Sequence, residues 1–484
     1  MRHLRLAGFR WPLGAIVLGT AVGIASLACV SRASADESGS DTLSRLPVLR
    51  HRLPNGLRVV LSPNRTVPTV AIAVYYDVGS RNEEKGKSGF AHLFEHMMFQ
   101  GSANVGKGEH FKLIMNRGGS MNGTTSADRT NYYATLPARE LALGLWLEAD
   151  RMRSLDISAE NFENQRQTVM EERRQSYDNQ PYAQSMLRIN ELAYGDYWPY
   201  AHSTIGDMAD LERAGLADVQ AFFDAYYAPN NAVLSIAGDF DAGEAMKWVK
   251  RFFEGIPSRP VPEYNPPKRD LPKQEVRESM VDPLAQLPAV HVAYPIPPSD
   301  EADHYALELL SLILGDGKAS RAYQALVRNQ EIAQQVSVST DDRRGPDLFS
   351  FWAIASSGNS SSKVLEGIDA LLAELLEGGV TDAEVKKAKN RARSAFVFGI
   401  ETNMGRAMRL AEYELYREDA RALRSDLDKY LAVTREDIER VAKRYLVPTS
   451  RTVLEVQTAG SAKTSPGSAK ASAAQPSSTK EKGQ

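Results

Sequence analysis

The stretch "DVQAFFDAYYAPNN", residues 218–231, has a counterpart in "DIERVAKRYLVPTS", residues 437–450. Each opens on an aspartate. Each places a tyrosine eight positions on (Tyr226, Tyr445) and a proline eleven positions on (Pro229, Pro448). The proline stops a helix. A β-branched run follows in both cases, "NAVLSIAGDF" in the first and "RTVLEVQT" in the second. One helix-to-strand corner is therefore written twice, as a duplicated chain would write it.

The surroundings repeat too. The first copy opens on two strands, "LRVVLSPN" and "PTVAIAVYYDVGS". Helices are expected near 87–100 and 108–117. "GGSMNGTTSADRTNYYATLP" reads as a strand pair turning at Ser126-Ala127-Asp128, and helices follow near 138–154, 159–178, 182–194 and 209–226. The closing strand comes next, then a helix near 241–253. The second copy has "PAVHVAYPIP", helices near 302–315 and 320–329, the strands "AQQVSVSTDD" and "DLFSFWAIASS", and helices from about 362 to 445. Strands and helices in separate blocks indicate an α+β fold: two homologous domains, each a mostly antiparallel sheet packed with helices. The joint "GIPSRPVPEYNPPKRDLPKQE", residues 255–275, holds six prolines, which exclude helix and central strand. The expected division is 45–255, a proline-rich linker 256–275, and 276–457.

The ends differ from this body. Basic residues precede "WPLGAIVLGTAVGIASLACV", and Ala33-Ser34-Ala35 follows as a small-residue cleavage site. Residues 1–35 therefore read as a signal peptide, or as an uncleaved anchor, since the apolar run is long enough to span a membrane. Cys29 also admits a lipoprotein reading, although Ser26 stands where leucine is usual. Cys29 is the single cysteine, so the mature chain would rely on core burial without disulfides. A periplasmic location fits. Membrane contact is expected only if the N-terminal segment stays attached. Residues 458–484 read as a disordered tail, rich in Ser, Ala, Lys and Pro. The net charge of -3, without a basic run, excludes a nucleic-acid footprint.

Chemistry concentrates in "GFAHLFEHMMFQG", residues 89–101. His92 and His96, four apart, share one face of a helix and can point both imidazoles at one ion. Glu95 stands beside them. Zinc suits imidazole and carboxylate, and a catalytic site takes three protein ligands with one position open. Zinc would activate a water there, and Glu95 is placed to take its proton. A third ligand is needed, and "NFENQRQTVMEERRQSYDNQPY" offers Glu171 or Glu172. The isolated His110, His202, His291 and His304 read as surface or cap residues, and Trp146, Trp198, Trp248 and Trp352 as packing. "SRNEEKGKSG" reads as a flexible loop ahead of the motif.

The inverted motif H-x-x-E-H is the inverzincin signature. With "DVGSRNE", "GGSMNGTTSADRTNYYATLP", "RQTVMEERR" and "LSLILGDGKASRAYQALVRN", the chain resembles the pitrilysin/insulysin/mitochondrial processing peptidase family of zinc metallopeptidases over residues 45–457. The resemblance implies a peptidase with one zinc ion per chain, His92, His96 and Glu172 as ligands, and Glu95 as base. It implies Asn122 on the substrate-binding strand, where a peptide adds to a sheet edge. The family often has a supporting glutamate seven residues before the metal-binding one; here that residue is Gln165. Complete sites use an arginine and, seven residues later, a tyrosine from the second domain. Arg328 is present, but Gln335 takes the tyrosine's place. The resemblance implies a peptide substrate and pairing as a homodimer or as a heterodimer with a homologous chain. It also leaves a second reading open, a binding or assembly subunit that keeps the fold without turnover.

Overall fold

The computed structural model describes Leu43 and residues 46–460, apart from 270, 271 and 273. Residues 1–35, the expected signal peptide with Cys29, and the expected tail from 461 onward lie outside the described residues, while Thr458, expected to open that tail, ends a strand.

The first sheet contains β1 (Leu49–Arg52), β2 (Arg58–Pro63), β3 (Thr69–Tyr76), β4 (Ser120–Thr125), β5 (Thr130–Pro137) and β6 (Ala232–Gly238), in the order β1-β2-β6-β3-β5-β4. The second contains β7 (Val276–Asp282), β8 (Ala289–Ile296), β9 (Ala333–Thr340), β10 (Asp347–Ala355) and β11 (Thr452–Thr458), in the order β7-β11-β8-β10-β9. With β1 set aside, the two orders coincide. The parallel pairs coincide as well: β2 with β6, and β7 with β11. Every other neighbouring pair is antiparallel. The repeated corner takes one shape twice. Helix Leu216–Tyr226 leads through a 3-10 turn at Pro229–Asn231 into β6, and helix Arg435–Tyr445 leads through one at Pro448–Ser450 into β11. The fold is α+β and internally duplicated.

Strands β1 and β7 carry no apolar run, and periodicity does not predict them. Both are edge strands held by backbone pairing. Arg50 of β1 also grips Glu414 through Nε and Nη2, at 2.7 and 2.8 Å. The helix expected over 209–226 is two, Met208–Arg213 and Leu216–Tyr226, because Gly215 starts the second one as its N-cap. The segment near 320–329 is a π-helical turn, Tyr323–Asn329.

Alternation along β3 explains the layering. Val70, Ile72, Val74 and Tyr76 face the core shared with the helices of the first half. Ala71, Ala73 and Tyr75 face the other way, against Ala407, Leu410 and Ala411 of helix Asn403–Arg417, which comes from the second half. The small alanines let that helix approach the sheet. The exchange is mutual. Helix Ala183–Tyr194 of the first half sets Ile189, Ala193 and Tyr194 against Ala293, Leu348 and Leu454 of the second sheet. β3, β6 and β8 are buried nearly end to end, which is why they read as continuous apolar runs.

The second half carries a pH-sensitive cap. Glu384, third in helix Asp382–Gly399, closes a capping box with Thr381 and takes both Arg321 donors at 2.6 and 2.8 Å. The Arg321 hydrogen bonds hold its carboxyl down at about 2, below the ordinary 4.5. A carboxylate depressed in the folded state stabilises fully above its unfolded value and loses that contribution as pH falls. Glu384→Gln is therefore expected to lower the urea midpoint at pH 6, and the difference should shrink between pH 4.5 and about 2. A pH-independent difference would contradict the charge-based account.

Candidate metal centre

The motif helix, Phe90–Met97, buries Phe90, Leu93, Phe94 and Met97 in the first core. That i, i+3, i+4, i+7 spacing turns His92 and His96 together onto its flank. Their rings lie 4.8 Å apart between centroids.

The helix start is fixed by residues ahead of the motif. Glu83 is buried and accepts from the backbone N–H groups of Gly89 and Ala91, at 2.9 and 2.7 Å. A carboxylate there satisfies orphan donors and complements the helix dipole. His202 Nε2 lies 3.0 Å from Glu83 Oε2, its ring stacks on Trp198 at 4.0 Å, and Trp198 Nε1 donates to the Glu83 carbonyl at 2.6 Å. Burial raises the Glu83 pKa, against the His202 contact and the backbone donors. Gly89 adopts φ 88°, and an added Cβ would meet Gly206 Cα at 2.9 Å, so glycine is required for this backbone-to-backbone contact. The stretch expected to be a flexible loop is thus ordered where it matters: Ser80–Asn82 is a 3-10 turn, and Ser80, Arg81 and Glu83 are buried.

The third ligand candidate arrives on helix Ala159–Arg173, capped by Ser158. Phe162, Val169 and Met170 anchor this helix in the same core. Glu172 Oε2 lies 3.4 Å from His96 Nε2 and 3.8 Å from His92 Nε2. Glu171 instead takes donors from Arg174 and Gln175 on the exposed side. The acidic pair is divided, one carboxylate toward the imidazoles and one toward solvent.

Among the described residues, His92, His96 and Glu172 are the one group of three or more possible ligand side chains whose donor atoms all fall within 4.8 Å of one another. Two donors each about 2.1 Å from one ion, at a tetrahedral angle, stand about 3.4 Å apart. The Glu172 spacings to the two imidazoles, 3.4 and 3.8 Å, therefore suit a shared zinc ion. Burial pushes the His92 pKa down to about 4, with the neighbouring His96 adding to it, which keeps a lone pair available. The His96 contact lowers the Glu172 pKa and keeps that carboxylate ionised. Both imidazoles offer Nε2, and His92 Nδ1 is buried without a hydrogen-bond partner.

Glu95 is 9% exposed. Its Oε2 accepts from Thr125 Oγ1 at 2.5 Å, and burial raises its pKa against that hydrogen bond. Asn122 is exposed on β4, an edge strand of the first sheet. Gln165 is buried on the carboxylate helix, but its side chain donates to Asn164 and not to the trio. Arg328 is exposed on the π-helical turn of the second half and donates to Gln324 at 3.3 Å; no contact joins it to the trio. Gln335 is exposed on β9, an edge strand of the second sheet.

Of the isolated histidines expected at the surface or at caps, His202 is the C-cap of helix Trp198–Ala201, and the other three are not surface residues. His110, His291 and His304 are buried. His291 Nε2 meets Ser185 Oγ at 2.9 Å, where the exchanged helix crosses β8. Trp198 does more than pack, as its bond to Glu83 shows. Glu83, His202 and Thr125 escape a sequence reading because none carries metal spacing or lies in an apolar period.

Residues 58–197 match the model of insulinase, peptidase family M16, and residues 214–392 match that of the peptidase M16 inactive domain. The zinc protease PqqE of Helicobacter pylori is 32% identical over 406 residues, spanning 83% of this chain and 91% of its own. The chain belongs to peptidase family M16. A crystal structure of a protease from Helicobacter pylori matches this M16 chain with TM-score 0.80 and 31% identity, over 85% of this chain and 99% of that one. The periplasmic protease PqqL of Escherichia coli shares the fold, with TM-score 0.69 and 18% identity, and the match takes in 85% of this chain but 47% of PqqL.

Proposed function

We propose that this M16 chain is a zinc-dependent endopeptidase of the cell envelope that hydrolyses peptides and unfolded polypeptides. The observation that carries the proposal is the meeting of Glu172 with His92 and His96 at 3.4 and 3.8 Å, from helices far apart in sequence. In this reading the three side chains hold one zinc ion per chain. Zinc bound there supplies a Lewis acid that polarises a carbonyl and acidifies water. Glu95 takes a proton from the attacking water and returns it to the leaving amine. Burial suits this role, because a carboxyl raised from its ordinary value holds a proton longer between the two transfers. A peptide laid along β4 beside Asn122 would present its backbone to the sheet edge, a mode tolerant of sequence. The catalytic domain is assigned to 45–255, the linker to 256–275 and the second domain to 276–457.

Arg328 and Gln335 bear on the partner. They lie on the second half, which holds no metal group among the described residues. PqqL supplies a second half of comparable size in one chain. We therefore assign this chain a homologous partner, a second copy or a relative, that faces its site. Residues 1–35 and the periplasmic setting named for PqqL support the proposed export. No helix of the described residues is long and apolar enough to cross a membrane.

The second reading, a non-catalytic assembly subunit, draws on Gln335 and on the inactive-domain match over 214–392. One experiment separates them. The purified chain, alone and with a homologous partner, is assayed on an unstructured fluorogenic peptide, and its metal content is measured. One zinc per chain is expected, with Glu172→Ala losing at least about 100-fold in zinc affinity and in hydrolysis. Zinc binding without hydrolysis in any pairing would favour the subunit. Undiminished zinc affinity in Glu172→Ala would remove that residue from the ligand set.

A further inference from the structure

We propose that Thr125 is a positioning residue for the general base, and that the second half of the chain holds it in place. This inference rests on the peptidase reading above. Thr125 is the last residue of β4, and strand alternation puts it on the same face as Gly123. That face looks toward the first core, since a Cβ on Gly123 would touch Phe99 and Tyr132. Thr124, on the opposite face, bonds Asn131 instead. The Thr125 hydroxyl therefore points at the motif helix, where it donates to Glu95 Oε2 at 2.5 Å. One oxygen of the carboxylate is committed. The other is left to receive the proton, and the hydrogen bond restrains rotation about the last torsion of Glu95.

A hydroxyl can orient a carboxylate only if its own backbone is fixed. The turn that follows Thr125 is bound from three directions. The Ser126 and Ala127 carbonyls accept from the Ser80 and Arg81 N–H groups, at 3.2 and 3.0 Å. The buried Asp128 carboxylate accepts from Arg81 Nη1 at 2.9 Å and from Tyr200 OH at 2.7 Å. It also accepts from the Arg344 N–H at 3.1 Å, and Arg344 lies in the turn between β9 and β10, in the second half. Arg344 reaches Asp77 of the first half as well, at 2.6 Å. The half without a metal group thus fixes the strand end that aims the base. The same strand has the free edge at which a peptide would pair, so binding of the backbone and alignment of Glu95 share one rigid element.

The test compares Thr125→Val, which keeps the β-branched shape and removes the donor, with Thr125→Ser, which keeps the donor. Both are assayed on the unstructured peptide beside wild type and Glu95→Gln. Thr125→Val is expected to lower kcat about 10- to 100-fold, part of the full contribution of a general base, with KM and zinc content unchanged. Thr125→Ser is expected to restore kcat to within about threefold of wild type. A Thr125→Val kcat equal to wild type, with Glu95→Gln inactive, overturns the role of Thr125 and leaves the peptidase reading standing. Equal losses in Thr125→Val and Thr125→Ser also overturn it, since the methyl group and not the hydroxyl would then matter. Full activity of Glu95→Gln overturns both.

Discussion

Glu95→Gln is expected to give a folded, zinc-loaded protein whose peptide hydrolysis falls by about 100- to 10,000-fold. The substitution is nearly isosteric. The carboxamide oxygen can still accept from Thr125, so the motif helix and the two histidines should not move. What is lost is the capacity to take a proton. The Glu172 carboxylate meets the two imidazoles at 3.4 and 3.8 Å without a bond through Glu95, which Glu172 reaches only by charge. Zinc stoichiometry should therefore match wild type while kcat collapses. Equal loss of both zinc and activity would instead make Glu95 part of the ion's binding site, and retained activity would require another base.

The second large effect is expected at Asp128. Asp128→Ala removes the acceptor of Arg81, Tyr200 and the Arg344 N–H in a place 5% exposed. Removing one partner of a buried ion pair costs about 3–5 kcal/mol, because the other charge stays behind. Arg81 keeps one carboxylate, Asp77 at 2.7 Å, but its Nε already lacks a partner. The urea midpoint should fall markedly. Asp128→Asn should recover part of the loss, since its oxygen still accepts. A midpoint unchanged in Asp128→Ala would mean that this buried cluster adds nothing to the junction between the halves, which the apolar faces and pairs such as Arg50–Glu414 would then hold.

The sequence makes the duplication and the histidine pair legible for the same reason: both are written in regular spacing. Tyr226 and Pro229 repeat as Tyr445 and Pro448, and the helices and strands that they join repeat with them. His92 and His96 announce a shared helix face. The choice between Glu171 and Glu172 is not written in local pattern. It depends on how helix Ala159–Arg173 is rotated in the core, and the structure places only Glu172 near the imidazoles. Edge strands β1 and β7 are invisible to periodicity because backbone pairing and ion pairs hold them, not an apolar face. The cap formed by Glu83 and the hydroxyl of Thr125 are single polar groups whose purpose exists only after distant segments meet. His110, His291 and His304 look like surface residues in sequence for a similar reason, since a lone polar letter does not disclose its neighbours.

Neither half is a finished globule. Ala71, Ala73 and Tyr75 are covered by a helix that lies more than three hundred residues later in the chain, and the second sheet borrows its own cover in return. The ancestral copies have become interlocked. A break in the proline-rich joint would sever the polypeptide without freeing its pieces, because parting them would strip two apolar sheet faces bare to water. The half that carries His92, His96 and Glu172 and its duplicate are therefore obliged to fold, and to change over evolutionary time, as one object.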